Sequence, residues 1–291
     1  MTNSSRKCNF TDIDNLAAIL RFSMSIPTFI IGMIFNILAL FIFCFCWKNQ
    51  TRTSVYMINL AIADVLLLLS LPFKMHYSST EAPGVLCASI QFLYFINTYV
   101  SIYTIVGITV DRYICLKYPF IGRAHQSPTP AVFYCIVIWV VTAAFSSTMY
   151  KFHSQASMKC FNMSDQAWNT PLIASVEILG FVLPLIVMVF CSAQNIQVLR
   201  NLTGEARRSE SSLRVIINLV VFLVCFTPVH LAIFLQCLVR QHMIPNCILQ
   251  RNISLFIQVS MIVANFNCWL DAIFYYFAGA GFRKNINLSM I

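Results

Sequence analysis

The sequence predicts an all-α membrane protein, a bundle of seven helices that cross the bilayer. Three observations carry this. Of 291 residues, 59% are hydrophobic and only 10% are charged, with a mean hydropathy of +0.76; a soluble domain carries about 25% charged residues. Seven predominantly apolar stretches reach the roughly 20 residues that a helix needs to cross. The charges fall in the short connections between those stretches. The net charge of +9 is therefore a property of loops at a membrane surface and does not point to nucleic acid.

The spans are placed at 19–46, 53–78, 86–117, 129–150, 169–200, 211–239 and 249–277. They form one domain, with no internal repeat of the kind that marks arrays. Residues 1–18 are polar and read as an extracellular segment without a cleavable leader. After the last span, Gly279 and Gly281 interrupt the helix. Phe282, Ile286 and Leu288 in 278–291 then fit a short amphipathic eighth helix lying on the cytosolic membrane face.

Loop charge orients the bundle. With the N-terminus outside, eleven Lys and Arg lie at the inner face, Arg52, Arg112, Lys117 and Arg123 among them. Seven lie outside: Arg6, Lys7, Arg21, Lys151, Lys159, Arg240 and Arg251. The bias follows the positive-inside rule. Glycosylation sequons at Asn3, Asn9 and Asn162 then fall outside, although Asn49, Asn201 and Asn287 match the same weak pattern on the inside. Of the twelve cysteines, Cys8, Cys87, Cys160 and Cys247 lie on the outer side. Four thiols in an oxidising compartment point to two disulfides, with three pairings open. Cys87 at the start of span three and Cys160 in the loop after span four are the first choice, which leaves Cys8 with Cys247.

Several spans carry charge that crossing does not require: Asp64, Lys74, Glu177 and Asp271. A charge in lipid is costly and marks function. Span three adds Asn97, Thr98, Ser101 and Thr104, so the helices must enclose a polar interior. Two acids, Asp64 and Asp271, could imitate a protease dyad, but no neighbouring residue supports an enzyme. Broken repeat spans of a transporter and charged filter rings of a channel are not evident.

At these residues the chain resembles the rhodopsin-like (class A) G-protein-coupled receptors along nearly its whole length. The landmarks stand one per span: Asn36 in GMIFNILAL, Asp64 in NLAIADV, Asp111-Arg112-Tyr113, Trp139, Pro184 in FVLPL, CFTPVH from Cys225 to His230, and Asp271-Ala272-Ile273-Phe274-Tyr275. The resemblance implies a plasma-membrane receptor coupled to a heterotrimeric G protein. Arg112, held by Asp111 at rest, would meet Gα on activation, with Tyr113 and Tyr275 beside it. It also implies a sodium ion held by Asp64, Ser101, Asn267 and Asp271. Three departures stand out. Asp271 and Ala272 replace the family's Asn and Pro, so the usual kink there is expected to be weaker, and Phe226 replaces a Trp.

By family position and by helical spacing on span three, the outer cavity is expected to be lined by Lys74, Gln91, Tyr94, Phe95, Thr98, Met149, Glu177, Phe181, Phe226, His230 and Gln258. Lys151, His153, Lys159, Arg240 and His242 make a cationic rim. Tyr94 stands where amine receptors carry an acid. A cationic rim over greasy walls suits an anionic amphiphile whose phosphate pairs with Lys74; Glu177 is left to pair with His230 or with Lys74. The segments SVYMINLAIADVLLLLSLPFKM, CFNMSDQAW, VHLAIFLQCLVR and CWLDAIFYYF resemble the lysophospholipid branch of the family. That implies lysophosphatidylinositol as the first ligand, with lysophosphatidic acid or a kynurenate-like acid as alternatives. The implied partners are Gα subunits of the twelve/thirteen class, and also of the Gq class.

Overall fold

The computed structural model describes residues 10–46, 51–77, 84–118, 127–151, 168–200 and 205–277. Seven helices long and apolar enough to cross a membrane stand among them, and the described residues contain no strand. They are α1 (Thr11–Phe41, ending in a π-helical turn Ile42–Cys46), α2 (Arg52–Tyr77), α3 (Gly84–Lys117) and α4 (Thr129–Lys151). Next come α5 (Thr170–Glu177, a π-helical turn Ile178–Val182, then Leu183–Arg200), α6 (Glu205–Arg240) and α7 (Cys247–Asn265 followed by Asn267–Phe277). The eighth helix expected over 278–291 and the residues up to 9 lie outside the described residues.

Helices two to five start and stop within two residues of the predicted spans. The first does not. It begins at Thr11, eight residues before the apolar run, so residues 11–18 are already helical. Asp12 and Asp14 sit in its first turn, where carboxylates complement the positive end of the helix dipole. Ile13 and Ala17 are already buried. Similarly, α6 begins at Glu205, six residues ahead of its apolar run, because polar residues of good helix propensity extend a helix beyond the bilayer.

Helix α3 is the axis of the bundle. Val100, Ile102, Ile105 and Ile108 are at most 1% exposed. Ile102 and Ile105 pack among Met188 of α5 and Phe222 and Phe226 of α6, and Val100 and Ile108 pack toward α2 and α4, while Ile30, Ile34, Phe133 and Val140 face outward. In lipid this inversion is expected, since hydrocarbon supplies no hydrophobic drive between helices and polar bonds serve as glue. Asn59 shows it. Its Nδ2 donates to Thr104 Oγ1 at 2.7 Å and its Oδ1 accepts from Trp139 Nε1 at 2.8 Å, so one carboxamide ties α2, α3 and α4.

Two helices are locally unwound, and both irregularities shape the interior. In α5 the π-helical turn Ile178–Val182 precedes Pro184, which has no N–H to give. Tyr103 Oη donates to the Leu179 carbonyl of that turn at 2.6 Å. Gly180 lies against Tyr99; a Cβ there would stand 2.6 Å from Tyr99 Cε1, so only glycine lets the turn approach α3. In α7 the helix is interrupted at Phe266, six residues before Ala272. The Phe266 N–H reaches Val263 O at 3.0 Å, a tighter three-residue step. Asn36 Nδ2 donates to Cys268 O at 2.7 Å and to Gly32 O at 2.9 Å. The missing proline therefore does not give an unbroken helix. The interruption lies earlier, where a side chain from α1 bonds the backbone.

Candidate functional site

The described interior holds four clusters of polar side chains, arranged from the face bearing the N-terminus to the face bearing Asp111. Lys74, in the last turn of α2, is only 8% exposed and is the sole buried Lys or Arg among the described residues. Its ammonium stands 3.8 Å from the centroid of the Tyr94 ring on α3. Such a contact, when desolvated, contributes about 2 kcal/mol. Tyr94 Oη donates to Asn265 Oδ1 of α7 at 2.9 Å, so α2, α3 and α7 meet at one aromatic ring. Gln91, one turn nearer the N-terminal face, is buried and its Oε1 has no hydrogen-bond partner. Thr98 spends its hydroxyl on the Tyr94 carbonyl at 2.8 Å, and Phe95 packs edge-on to Tyr94.

Gln258 of α7, expected to line the cavity, accepts from Arg21 Nη2 at 2.6 Å. Arg21 had been counted only as an outer charge. The missed signal was its spacing: Ile13, Ala17, Ser25 and Thr28 form the buried stripe of α1, and Arg21 lies on that stripe.

On the other side of α3, Glu177 Oε2 and His230 Nδ1 are 3.2 Å apart. Of the two partners considered for Glu177, the structure places His230 against it. The π-helical turn carries Phe181 onto the His230 ring, stacked at 4.7 Å. Tyr99, Phe145 and Phe222 complete this aromatic wall with Phe226. Tyr99 and Phe222 were missed, though each stands four residues from an expected lining residue, Phe95 and Phe226. At the rim, Arg240 lies over the Trp168 ring at 5.9 Å, and Gln241 Nε2 donates to Trp168 O at 3.0 Å. His242 is exposed with φ 59°. The side chains of Met149 and Lys151, with His153, Lys159, Cys160, Asn162, Asn3, Asn9 and Cys8, lie outside the described residues. Cys87 and Cys247 are both disulfide-bonded.

Midway through the bundle, Ser101 Oγ donates to Asp64 Oδ1 at 3.3 Å. Asp64 Oδ2, Asn267 Oδ1 and Asp271 Oδ2 are buried without hydrogen-bond partners. Three orphaned oxygens, two of them from carboxylates, make a hard donor set of the kind that alkali and alkaline-earth cations prefer, so the residues present fit a sodium ion.

At the opposite face, Asp111 Oδ1 pairs with Arg52 Nη1 of α2 at 3.1 Å, and Arg52 Nε reaches Ser127 O at 3.4 Å. The expected partner of Asp111 was its neighbour Arg112; the sequence reading missed Arg52. Arg112 is half-buried. Tyr113 packs against Phe190 at 6.0 Å and accepts from Lys117 Nζ at 3.0 Å. The side chain of Tyr275 is not among those described.

Comparison with known proteins is consistent with this geometry. Residues 35–275 match the 7 transmembrane receptor (rhodopsin family) model. G-protein coupled receptor 55 of Homo sapiens is 39% identical, over 98% of this chain and 92% of that protein. G-protein coupled receptor 35 of Mus musculus is 32% identical, over 88% and 83%. Lysophosphatidic acid receptor 4 of Homo sapiens is 31% identical, over 90% and 75%.

The Tyr94 bridge gives a direct test. Tyr94→Phe keeps the ring under Lys74 but leaves Asn265 Oδ1 without its donor, an expected loss of about 1–3 kcal/mol seen as a lower melting temperature in detergent. Tyr94→Leu removes the ring as well and is expected to melt lower still. Parental melting of both variants would show that the bridge contributes nothing.

Proposed function

Because the chain belongs to the rhodopsin family of seven-transmembrane, G-protein-coupled receptors, a multi-pass receptor of the plasma membrane and not an enzyme, we propose that it detects an anionic lysophospholipid. The N-terminus is outside, which places Cys87 and Cys247 in the oxidising compartment where disulfides persist. Lysophosphatidylinositol is the first candidate ligand, and lysophosphatidic acid the second. The coupled Gα is of the twelve/thirteen class, with Gq as a further partner. The observation that carries the ligand class is Lys74: a buried ammonium over an aromatic ring, inside a span, beside apolar and aromatic walls. One relative, lysophosphatidic acid receptor 4, is named for a ligand of this chemistry.

In this reading the phosphate pairs with Lys74 and the acyl chain lies along Phe181, Phe222, Phe226 and Tyr99. Insertion of a chain there repacks the Phe181–His230 stack and shifts α6 against α3. At the cytosolic face the Arg52–Asp111 pair, an ion pair near water and individually weak, opens and exposes Arg112 to Gα. Asp64, Ser101, Asn267 and Asp271 hold a sodium ion in the resting receptor, whose charge offsets the repulsion between the two carboxylates.

Three measurements test these roles. In cells, Gα dissociation titrated with lysophosphatidylinositol, lysophosphatidic acid and kynurenic acid is expected to respond to a lysophospholipid. Lys74→Ala should raise its EC50 by at least about tenfold, roughly 1.4 kcal/mol; a response to kynurenic acid alone would remove the lipid reading. Arg112→Ala is expected to keep ligand binding and lose nucleotide exchange on the G protein, and full exchange by that variant would sink the coupling role. Sodium chloride should raise the melting temperature above that in choline chloride at equal ionic strength, and Asp64→Asn should abolish the difference. Equal melting of the parent in both salts would argue against a bound ion.

A further inference from the structure

We infer that Arg21 is a second headgroup-binding residue, forming with Lys74 a two-cation cradle for the phosphate of a single-chain lipid at the corner of α1, α2 and α7. The inference rests on the lysophospholipid reading above and adds to it a residue and a place. Arg21 sits on the inward stripe of α1 between Ala17 and Ser25, both buried. A helix that only needed to pack would carry a small or apolar residue there, because a guanidinium within a span is costly. Its hydrogen bond is to a neutral carboxamide, Gln258 Oε1 at 2.6 Å, which takes one of five N–H donors and brings no counter-charge of its own.

Gln258 and Asn265 are seven residues apart on α7, two turns and about 10 Å along one face. Arg21 contacts the first. The second accepts from Tyr94, whose ring underlies the Lys74 ammonium. The two cations are thus organised on one face of α7, with Arg21 nearer the N-terminal face and partly exposed, and Lys74 deeper and buried. Like charges placed on one face in this way gain nothing from each other, and an anion between them is favoured by both. The division of labour suits phosphate. Arginine's planar fork takes two oxygens at once, whereas the lysine is a compact point charge. Gln91 Oε1, buried and unpartnered one turn from Tyr94, offers an acceptor for a headgroup hydroxyl.

The test is equilibrium binding to the purified full-length receptor of three probes: lysophosphatidylinositol, lysophosphatidic acid, and the phosphate-free monoacylglycerol. Melting temperature is measured in parallel on the parent, Arg21→Gln, Arg21→Lys and Lys74→Gln. Arg21→Gln is expected to raise the Kd of whichever phospholipid the parent binds by about 10- to 100-fold. Monoacylglycerol binding should stay unchanged. Arg21→Lys should recover part of the loss. The arm that binds identifies the headgroup. If Arg21→Gln binds the phospholipid as the parent does while Lys74→Gln does not, Arg21 is only a strut and the inference is overturned with the ligand class intact. The same follows if Arg21→Gln weakens monoacylglycerol equally. A parent receptor that binds neither phospholipid overturns the ligand class and the inference together.

Discussion

Inside a bilayer there is no water to bond with, so each polar atom must find its partner within the protein or within what the protein binds. Most of this structure follows from that constraint. It makes the spans helical, and it makes the connections between helices polar even though the residues around them are not. Asn36 reaches from α1 to the Cys268 carbonyl of α7, and Asn59 joins α2, α3 and α4. Tyr103 satisfies the π-helical turn of α5. Each replaces a bond that a soluble protein could leave to solvent. Where the partners run out, as at Gln91 and in the group of Asp64, Asn267 and Asp271, the same constraint marks places where an ion or ligand is stabilised.

Helix α3 divides the interior into two unlike halves. Toward α1, α2 and α7 lie the cations, Arg21 and Lys74, with carboxamides and the Tyr94 hydroxyl around them. Toward α5 and α6 lie His230, Glu177 and the aromatic wall. A molecule with a charged end and a greasy end matches that division without further assumption, because each end meets the solvent it prefers. The aromatic half is also part of the main core, in which Tyr99, Ile102, Phe222, Phe226 and Met188 pack continuously. In the proposed function, a chain that displaces Phe181 therefore acts on the same packed unit that sets α6 against α3.

The bundle was largely legible in the sequence because lipid imposes a simple rule. Runs of about 20 apolar residues are written openly along the chain, and five of the seven helices fall within two residues of that reading. The misplaced starts of α1 and α6 have one cause. Hydropathy reports where the bilayer begins, whereas a helix continues as far as propensity and end charges permit, so Asp12 and Asp14 begin a helix that apolarity alone does not announce. The site was legible where one residue is conspicuous by its chemistry. Lys74, Tyr94, Glu177 and His230 were anticipated in that way, and the structure brings them into two clusters. Arg21 was hidden, because a charge near the end of a span looks like an ordinary outer charge until the buried stripe of α1 is known.

The sequence by itself determined the class of solvent, the number and approximate limits of the helices, and that Asp64, Lys74, Glu177 and Asp271 had to face inward. These depend on local composition, which a linear chain displays. Tertiary structure decided the partners. Asp111 lies against Arg52, 59 residues away in the chain, and Glu177 lies against His230. Gln258 is held by Arg21, and α7 is interrupted at Phe266 although no proline is present. Each of these joins helices distant in sequence, and which side chains meet depends on how helices rotate and tilt against their neighbours. Those rotations are fixed by many small contacts acting together, and no local pattern in the chain records them.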